Sequence, residues 1–227
     1  MRSIKILSNF IKLSGRTEDV PASEGLTAKS GINHYLQRSL SFIGLCLLGP
    51  FLFLIAIFIR IESPGNPLFC QIRVGLNGRR FAFYKFRSMR VSHDPKYIDV
   101  TKMKSDRDGV CLKFFNDPRV TRIGKFLRKY SIDELPQLIN VVKGDMLLIG
   151  PRPALIPETN SYSMNARTRL QTMPGLTGLW QVSGRADTSF EEQIELDIRY
   201  VSEKSWINDI RILLSTIPVV LFGKGAY

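Results

Sequence analysis

From Ser39 to Ile59 the chain carries no charged residue, and Arg38 and Arg60 close the run at its two ends. As a helix rising about 1.5 Å per residue, the run reaches roughly 30 Å, the thickness of a bilayer's hydrocarbon core. Apolar side chains cover every face over residues 42–48, and no polar stripe appears over 45–59, which favours a lipid-facing helix over a buried core helix. Pro50 follows Gly49 in mid-run, where it frees the Cys46 carbonyl and kinks the axis. Basic residues flank both sides: Arg2, Lys5, Lys12, Arg16, Lys29 and Arg38 before the run, Arg60, Arg73, Arg79 and Arg80 after it. Both flanks therefore read as cytoplasmic. The pattern predicts a kinked segment that dips into one leaflet and returns, with a single crossing as the alternative.

The pattern changes past a turn cluster at residues 62–67. Leu68–Val74 and Arg80–Phe86 are apolar and β-prone, and residues 75–78, with Asn77-Gly78, carry a hairpin turn signal. Residues 92–112 are polar and predict a surface loop. Helical spacing resumes over 121–129, where Ile123, Phe126 and Leu127 share a face. A second helix is expected from Ser131, running Ile132, Leu135, Leu138, Ile139 and Val142 to a stop at Gly144. A short strand at 146–149 ends in the rigid Gly150-Pro151-Arg152-Pro153. Later helices are expected over 190–200 and 207–222, the second apolar enough to lie on a membrane surface. At the start, residues 1–13 interleave lysines with apolar residues, as in a short basic amphipathic helix and unlike a secretory signal, and residues 14–31 read as a linker.

The 227 residues, 44% of them apolar, suffice for one core, which excludes a disordered chain. A formal charge of +12 calls for an anionic partner: nucleic acid, a phospholipid surface or a phosphorylated substrate. From Gln71 to Arg90 there are six basic residues and no acid, a pattern that favours anion binding. Cys46, Cys70 and Cys111 form no Cys-x-x-Cys pair, and His34 and His93 have no ligand neighbours at metal spacing, so neither a disulfide framework nor a zinc site is indicated.

Asp133-Glu134 falls at the expected start of the second helix, with Ser131 three residues before Glu134 as in a capping box and Pro136 in the first turns. Acids in a first turn have a purely structural explanation, since they complement the helix dipole. The surroundings single this pair out. Lys113, Arg119, Arg122, Lys125, Arg128 and Lys129 precede it against only Asp117, and Arg152 follows. A carboxylate at a helix N-terminus among cations should have a depressed pKa, and so be ionised and able to attack phosphorus. Paired acids repel phosphate, which calls for a divalent ion, magnesium, to bridge Glu134 to substrate oxygens while arginines absorb the remaining charge.

The motifs resemble those of the bacterial sugar transferases, the monotopic polyprenol-phosphate phosphoglycosyl transferases, over about residues 37–227. The markers are Gln71-x-Arg73-x-Gly75-x-x-Gly78, Lys85-Phe86-Arg87-Ser88-Met89, Asp117-Pro118-Arg119, Leu127-Arg128, the run from Ser131 to Leu138, Lys143-Gly144-Asp145-Met146, Gly150-Pro151-Arg152-Pro153, and the run from Pro174 to Arg185. The ending, from Thr216-Ile217-Pro218 to Tyr227, is most similar to the branch that transfers galactose phosphate for exopolysaccharide or O-antigen synthesis.

The resemblance implies a mixed α/β, mostly helical fold: a small cytoplasmic catalytic domain on a kinked re-entrant membrane helix with interfacial amphipathic helices. Residues 1–31 would be a basic N-terminal segment and linker, 32–61 the membrane hairpin with Gly49 and Pro50 at its bend, and 62–227 the catalytic domain. The implied reaction is ping-pong. Asp133 attacks the sugar-bearing phosphate of a UDP-sugar, UDP-galactose or UDP-glucose, and UMP leaves; undecaprenyl phosphate then takes the phosphosugar. Glu134 is the implied magnesium ligand. Arg119, Arg128, Arg152, Lys85 and Arg87 are expected on substrate phosphate, Gln181 and Arg185 as candidate nucleotide or sugar contacts. Trp180 is a further such candidate, with loop packing as the alternative for both Trp180 and Gln181, and Asp209 is a tie to the hairpin's start.

The implied setting is the cytoplasmic face of the bacterial inner membrane, with membrane lipid and downstream glycosyltransferases as partners and no nucleic acid. The chain departs from the family's usual Lys-Arg-x-x-Asp hairpin start, carrying Gln37-Arg38-Ser39-Leu40-Ser41 or, in an alignment without a gap, Asn33-His34-x-x-Gln37, and from its Ser-Pro kink, carrying Gly49-Pro50. The rival readings are a catalytically silent scaffold and a membrane-tethered nucleic-acid binder. The second lacks a helix-turn-helix, zinc or ribonucleoprotein signature.

Overall fold

The structure, a computed structural model, describes residues 31–100, 114, 116–184 and 188–223. Helix α1, His34–Glu62, opens on Asn33, whose side chain accepts from the Tyr35 and Leu36 backbone N–H groups, and it closes with Arg60 in its last turn, as the helix dipole favours. Its helical assignment is continuous through Pro50. It is the one helix among the described residues long and apolar enough to cross a membrane, and most of it is exposed.

Both ends of α1 are tied to the rest of the chain. At the start, Gln37 is buried, donates to the Ile32 carbonyl and accepts from the Leu148 and Ile149 N–H groups. Arg38 donates to the Val142 carbonyl, and Ile32 N–H donates to Asp209. At the far end Ile55 and Ile59 pack with Phe86 and Leu127. The Glu62 carboxylate accepts from the Arg122 and Ile123 N–H groups, and so caps the next helix.

Strands β1 (Leu68–Val74) and β2 (Arg80–Phe86) form the antiparallel hairpin that the alternation predicts, in register from Leu68 opposite Phe86 to Val74 opposite Arg80. Asn77 at φ 50° and Gly78 at φ 77° supply the left-handed turn. Phe81 and Phe83 point from β2 into a cluster with Val141 and Met146. Helix α2, Arg122–Lys129, starts at Thr121, whose hydroxyl accepts from Gly124 N–H.

The single helix expected from Ser131 is instead two pieces, a 3-10 segment Ile132–Gln137 and a short α3, Leu138–Lys143, ending at Gly144 with φ 83°. Pro136 has no N–H to donate, so it cannot continue a regular ladder there. The expected capping box does not form either. Ser131 sits in the left-handed region at φ 54°, and its side chain makes no cap bond.

The strand expected at 146–149 is β3, Leu147–Ile149, paired parallel with β4, Gly175–Thr177. Between them lie α4, Ile156–Asn160, and a 3-10 segment, Ala166–Gln171; then come α5, Leu179–Ser183, α6, Phe190–Ser202, and α7, Trp206–Phe222. α6 begins with a complete capping box between Ser189 and Glu192. α7 turns Ile212 inward against Ile149 and Tyr200 and leaves Leu214, Ile217, Leu221 and Phe222 exposed. The fold is thus mixed α/β and mostly helical. Cys46 and Cys70 are free and exposed, while Cys111 and residues 1–30 lie outside the described residues.

Candidate active site

Strand β2, helix α2 and the 3-10 turn bring the acid pair under its cations. On β2, Lys85 follows Phe81 and Phe83 on the inward face by the two-residue strand period. Arg128 stands in the last turn of α2, and its Nε donates to Ser88 Oγ at 2.9 Å. The left-handed Ser131 then reverses the chain, so that Asp133 sits on the turn at only 8% exposure. Arg152, leaving β3, donates from Nη1 to Glu134 Oε1 at 2.9 Å and lies over the Trp180 ring at 6.0 Å.

Lys85, Arg128, Arg152 and Glu134 all act electrostatically on Asp133. Burial first and the Glu134 charge second push the Asp133 carboxyl up to about 6, against the pull of the three cations. This corrects the expectation of a depressed value. The carboxylate lies in a short buried 3-10 turn with a second acid beside it, and desolvation outweighs the nearby positive charge. Burial likewise pulls the Lys85 ammonium down, opposed by Asp133, and the Glu134 charge holds Arg152 up. Among the described residues Asp133 accepts no side-chain hydrogen bond. The arrangement therefore holds an electrostatically attracted carboxylate with its oxygens uncommitted.

The other expected site residues fall in different places. Arg119 pairs with Asp117 at 2.6 Å, where it adjoins Arg128, so its fork is already taken by a carboxylate. Arg87 is not in the cluster, a correction to its expected phosphate role. Its guanidinium binds the Ser63 and Pro64 carbonyls at 2.6 and 2.7 Å and latches the exit of α1 to the end of β2. Ser63 in turn donates to Asp94, which that bond and the Lys96 N–H hold down at about 2. Gln181 donates from Nε2 to the Leu176 carbonyl; among the described residues its buried Oε1 has no partner, and neither has Trp180 Nε1. Arg185 lies outside the described residues. Gly49 and Pro50 belong to the exposed middle of α1, away from the cluster.

Sequence reasoning missed the support behind Arg152. Buried Arg169 donates to the Arg152 carbonyl at 3.1 Å, to Tyr162 Oη at 2.5 Å and to Asp197. Neither residue belongs to a quoted motif, and only the pairing of opposite charges on two inward helix faces could have pointed to them. Asp209 accepts from Ile32 N–H and Tyr200 Oη, so it stands at the start of α1. A cavity of about 310 Å³ opens beside Glu134, between the 3-10 turn and α7.

The bacterial sugar transferase family model matches residues 28–223, and the chain belongs to that family. A galactosyl transferase of Streptococcus agalactiae serotype III is 47% identical over 85% of this chain and 42% of its own length. The exopolysaccharide production protein ExoY of Rhizobium meliloti is 38% identical over 82% of this chain and 83% of its own. A UDP-glucose:undecaprenyl-phosphate glucose-1-phosphate transferase of Escherichia coli is 36% identical over 88% and 43%. The chain thus spans about two fifths of the length of several curated relatives it matches.

Proposed function

We propose that this chain transfers a sugar 1-phosphate from a UDP-sugar to undecaprenyl phosphate through an aspartyl intermediate, at the cytoplasmic surface of the bacterial inner membrane. The observation that carries the reading is Asp133: buried, ringed by Lys85, Arg128 and Arg152, and bound to none of them. A carboxylate oxygen of Asp133 forms a bond to the sugar-bearing phosphorus as the bond from that phosphorus to the bridging oxygen breaks, and UMP leaves with the electron pair. An oxygen of undecaprenyl phosphate then attacks the same phosphorus, and the aspartyl oxygen departs as the regenerated carboxylate. The anomeric bond of the sugar is untouched, so donor choice rests on contacts outside the reacting atoms, with Gln181 and Trp180 as candidates. Arg128 and Arg152 suit the diphosphate because a guanidinium fork binds two phosphate oxygens at once.

Magnesium fits the donor set in a limited way. The described residues contain no cluster of three or more His, Cys, Asp or Glu. Mg²⁺ is commonly held by one or two carboxylates with substrate phosphates and water completing the shell. Glu134 would hold it, and the ion would offset diphosphate charge.

The ties at both ends of α1 support a re-entrant placement. A helix crossing the bilayer would carry its ends to opposite faces, about 30 Å apart. Here Gln37 and Arg38 at one end and Ile59 and Glu62 at the other all dock on one folded unit, while most of residues 42–54 are exposed. The exposed apolar side of α7 suits an interfacial position beside them. The lipid-linked product would pass to downstream glycosyltransferases.

The test is a panel of UDP-sugars offered to the full chain in lipid nanodiscs with undecaprenyl phosphate and magnesium, read by UMP release. Release with UDP-galactose or UDP-glucose, and a trapped sugar phosphate on Asp133, are the expected results. Healthy turnover with no adduct on that residue would overturn the aspartyl step, and absence of release with every donor would favour the silent-scaffold reading.

A further inference from the structure

We propose that the cavity beside Glu134 receives the isoprene units next to the phosphate of the polyprenol acceptor, with α7 as the wall that guides the hydrocarbon to the bilayer. The proposal rests on the transfer reading above and adds a binding site to it.

The cavity joins two environments. On one side are Ile132, Glu134 and Leu135 of the acid-bearing turn; on the other are Leu213, Val219 and Val220 of α7. The two threonines in the wall do not ask for a polar guest, because Thr177 and Thr216 hydrogen-bond to each other at 2.8 Å and Thr216 also donates to the Ile212 carbonyl. α7 is two-sided. Residues 213, 216 and 220, at helical spacing, line the cavity, while Leu214, Ile217 and Leu221 on the next stripe are exposed and apolar. A molecule lodged between the catalytic turn and such a helix has charge at one end and lipid at the other.

A prenyl phosphate matches that polarity. Its phosphate would meet the Arg152–Glu134 end, and its first isoprene units would replace water along leucine and valine. The volume of about 310 Å³ is too small for a long polyprenol, so the remainder of the chain would lie in the membrane. The uridine of the donor suits the space less well. Most of the polar edge of its base would face apolar side chains, with Gln181 Oε1 as the one unpartnered buried side-chain acceptor in the wall among the described residues.

The test separates the two half-reactions in nanodiscs. Exchange of labelled UMP into UDP-galactose or UDP-glucose needs no acceptor; transfer to undecaprenyl phosphate does. Val219→Trp should raise the acceptor KM at least about tenfold while UMP exchange continues, and Leu214→Trp, on the exposed stripe, should change neither. An unchanged acceptor KM in an exchange-competent Val219→Trp overturns the proposal, as does a raised KM for the UDP-sugar in its place. A second measurement uses the unmodified chain and needs no turnover: a prenyl phosphate carrying a diazirine on its second isoprene unit. Label on residues 213–220 or 131–135 upholds the site, and label confined to α1 removes it. Absence of UMP exchange in the unmodified protein would instead strike the transfer reading, and the cross-link would still decide where a prenyl phosphate binds.

Discussion

Asp133 and Asp197 are both buried, both set among arginines and both pushed up to about 6 by burial, yet the protein treats them differently. Asp197, at 0% exposure, is clamped directly by Arg169, which also reaches Tyr162 and the Arg152 carbonyl. Asp133 feels three cations and bonds to none of them. Arg169 grips the Asp197 carboxylate through one oxygen, Oδ2, while Oδ1 is buried without a hydrogen-bond partner among the described residues, so the clamp commits the lone pairs on one side of the group to the fold. A carboxylate attracted but not gripped keeps its lone pairs for a substrate, and the diphosphate it awaits would occupy the cations. The same side chain thus serves structure in one place and chemistry in the other, and hydrogen bonding, more than charge, separates them.

The sharpest way to break the contrast is to neutralise each acid without changing its shape. Asp133→Asn should lower UMP release by at least about a thousandfold, as losses of a covalent nucleophile do, while the melting temperature at pH 7 does not fall. Retained release would mean that the nucleophile lies elsewhere. On the clamp side, Arg169→Ala leaves Asp197 buried and unpaired, which costs about 3–5 kcal/mol, so thermal unfolding should shift down by roughly 10 °C. A variant that keeps its melting temperature but loses activity would place Arg169 in the chemistry and dissolve the distinction.

Gln37 extends the comparison to the start of the membrane helix. It stands at the family's hairpin entrance without a charge, yet its amide accepts from two strand N–H groups and donates to the Ile32 carbonyl. Gln37→Ala would leave buried N–H groups without a partner, at about 1–3 kcal/mol. Thermal unfolding in nanodiscs should register that loss, with the donor half-reaction preserved at temperatures where the variant is folded. If the half-reaction fails there, the anchor bears directly on the active site.

The hairpin, α2 and the long apolar helix were legible because each rests on local signals: alternation around Asn77-Gly78, one apolar face after Thr121, an uncharged run between Arg38 and Arg60. The acid pair and its arginines were legible from their clustering along the chain. Other features depend on contacts distant in sequence. Arg87 reads as a phosphate ligand beside Lys85, but it lies just past the end of β2, beside the α1 exit, where the Ser63 carbonyl binds it. The β3–β4 pairing joins segments too short to announce themselves, and the Arg169–Asp197 clamp joins two that share no motif. The sign of the Asp133 shift failed for a related reason, since sequence displays neighbouring charges but not the burial that outweighed them.

That shift supplies the smallest predicted effect, and it runs in opposite directions for activity and stability. Attack requires the ionised carboxylate, so the donor half-reaction should be half-maximal near pH 6 and fall about tenfold per unit below it. Folding stability should move the other way. For an acid whose folded value lies above its unfolded one, near 4, stability is fully present below the unfolded value and is lost as pH rises through the folded one. Asp133 and Asp197 both contribute to that loss between about pH 4 and 6. Removing the Asp133 carboxyl should make the pH dependence of the melting temperature shallower across this window, leaving the Asp197 part in place. An unaltered slope in Asp133→Asn would mean that the carboxyl is not desolvated in the folded chain, and the contrast between an attracted acid and a gripped one would lose its electrostatic basis.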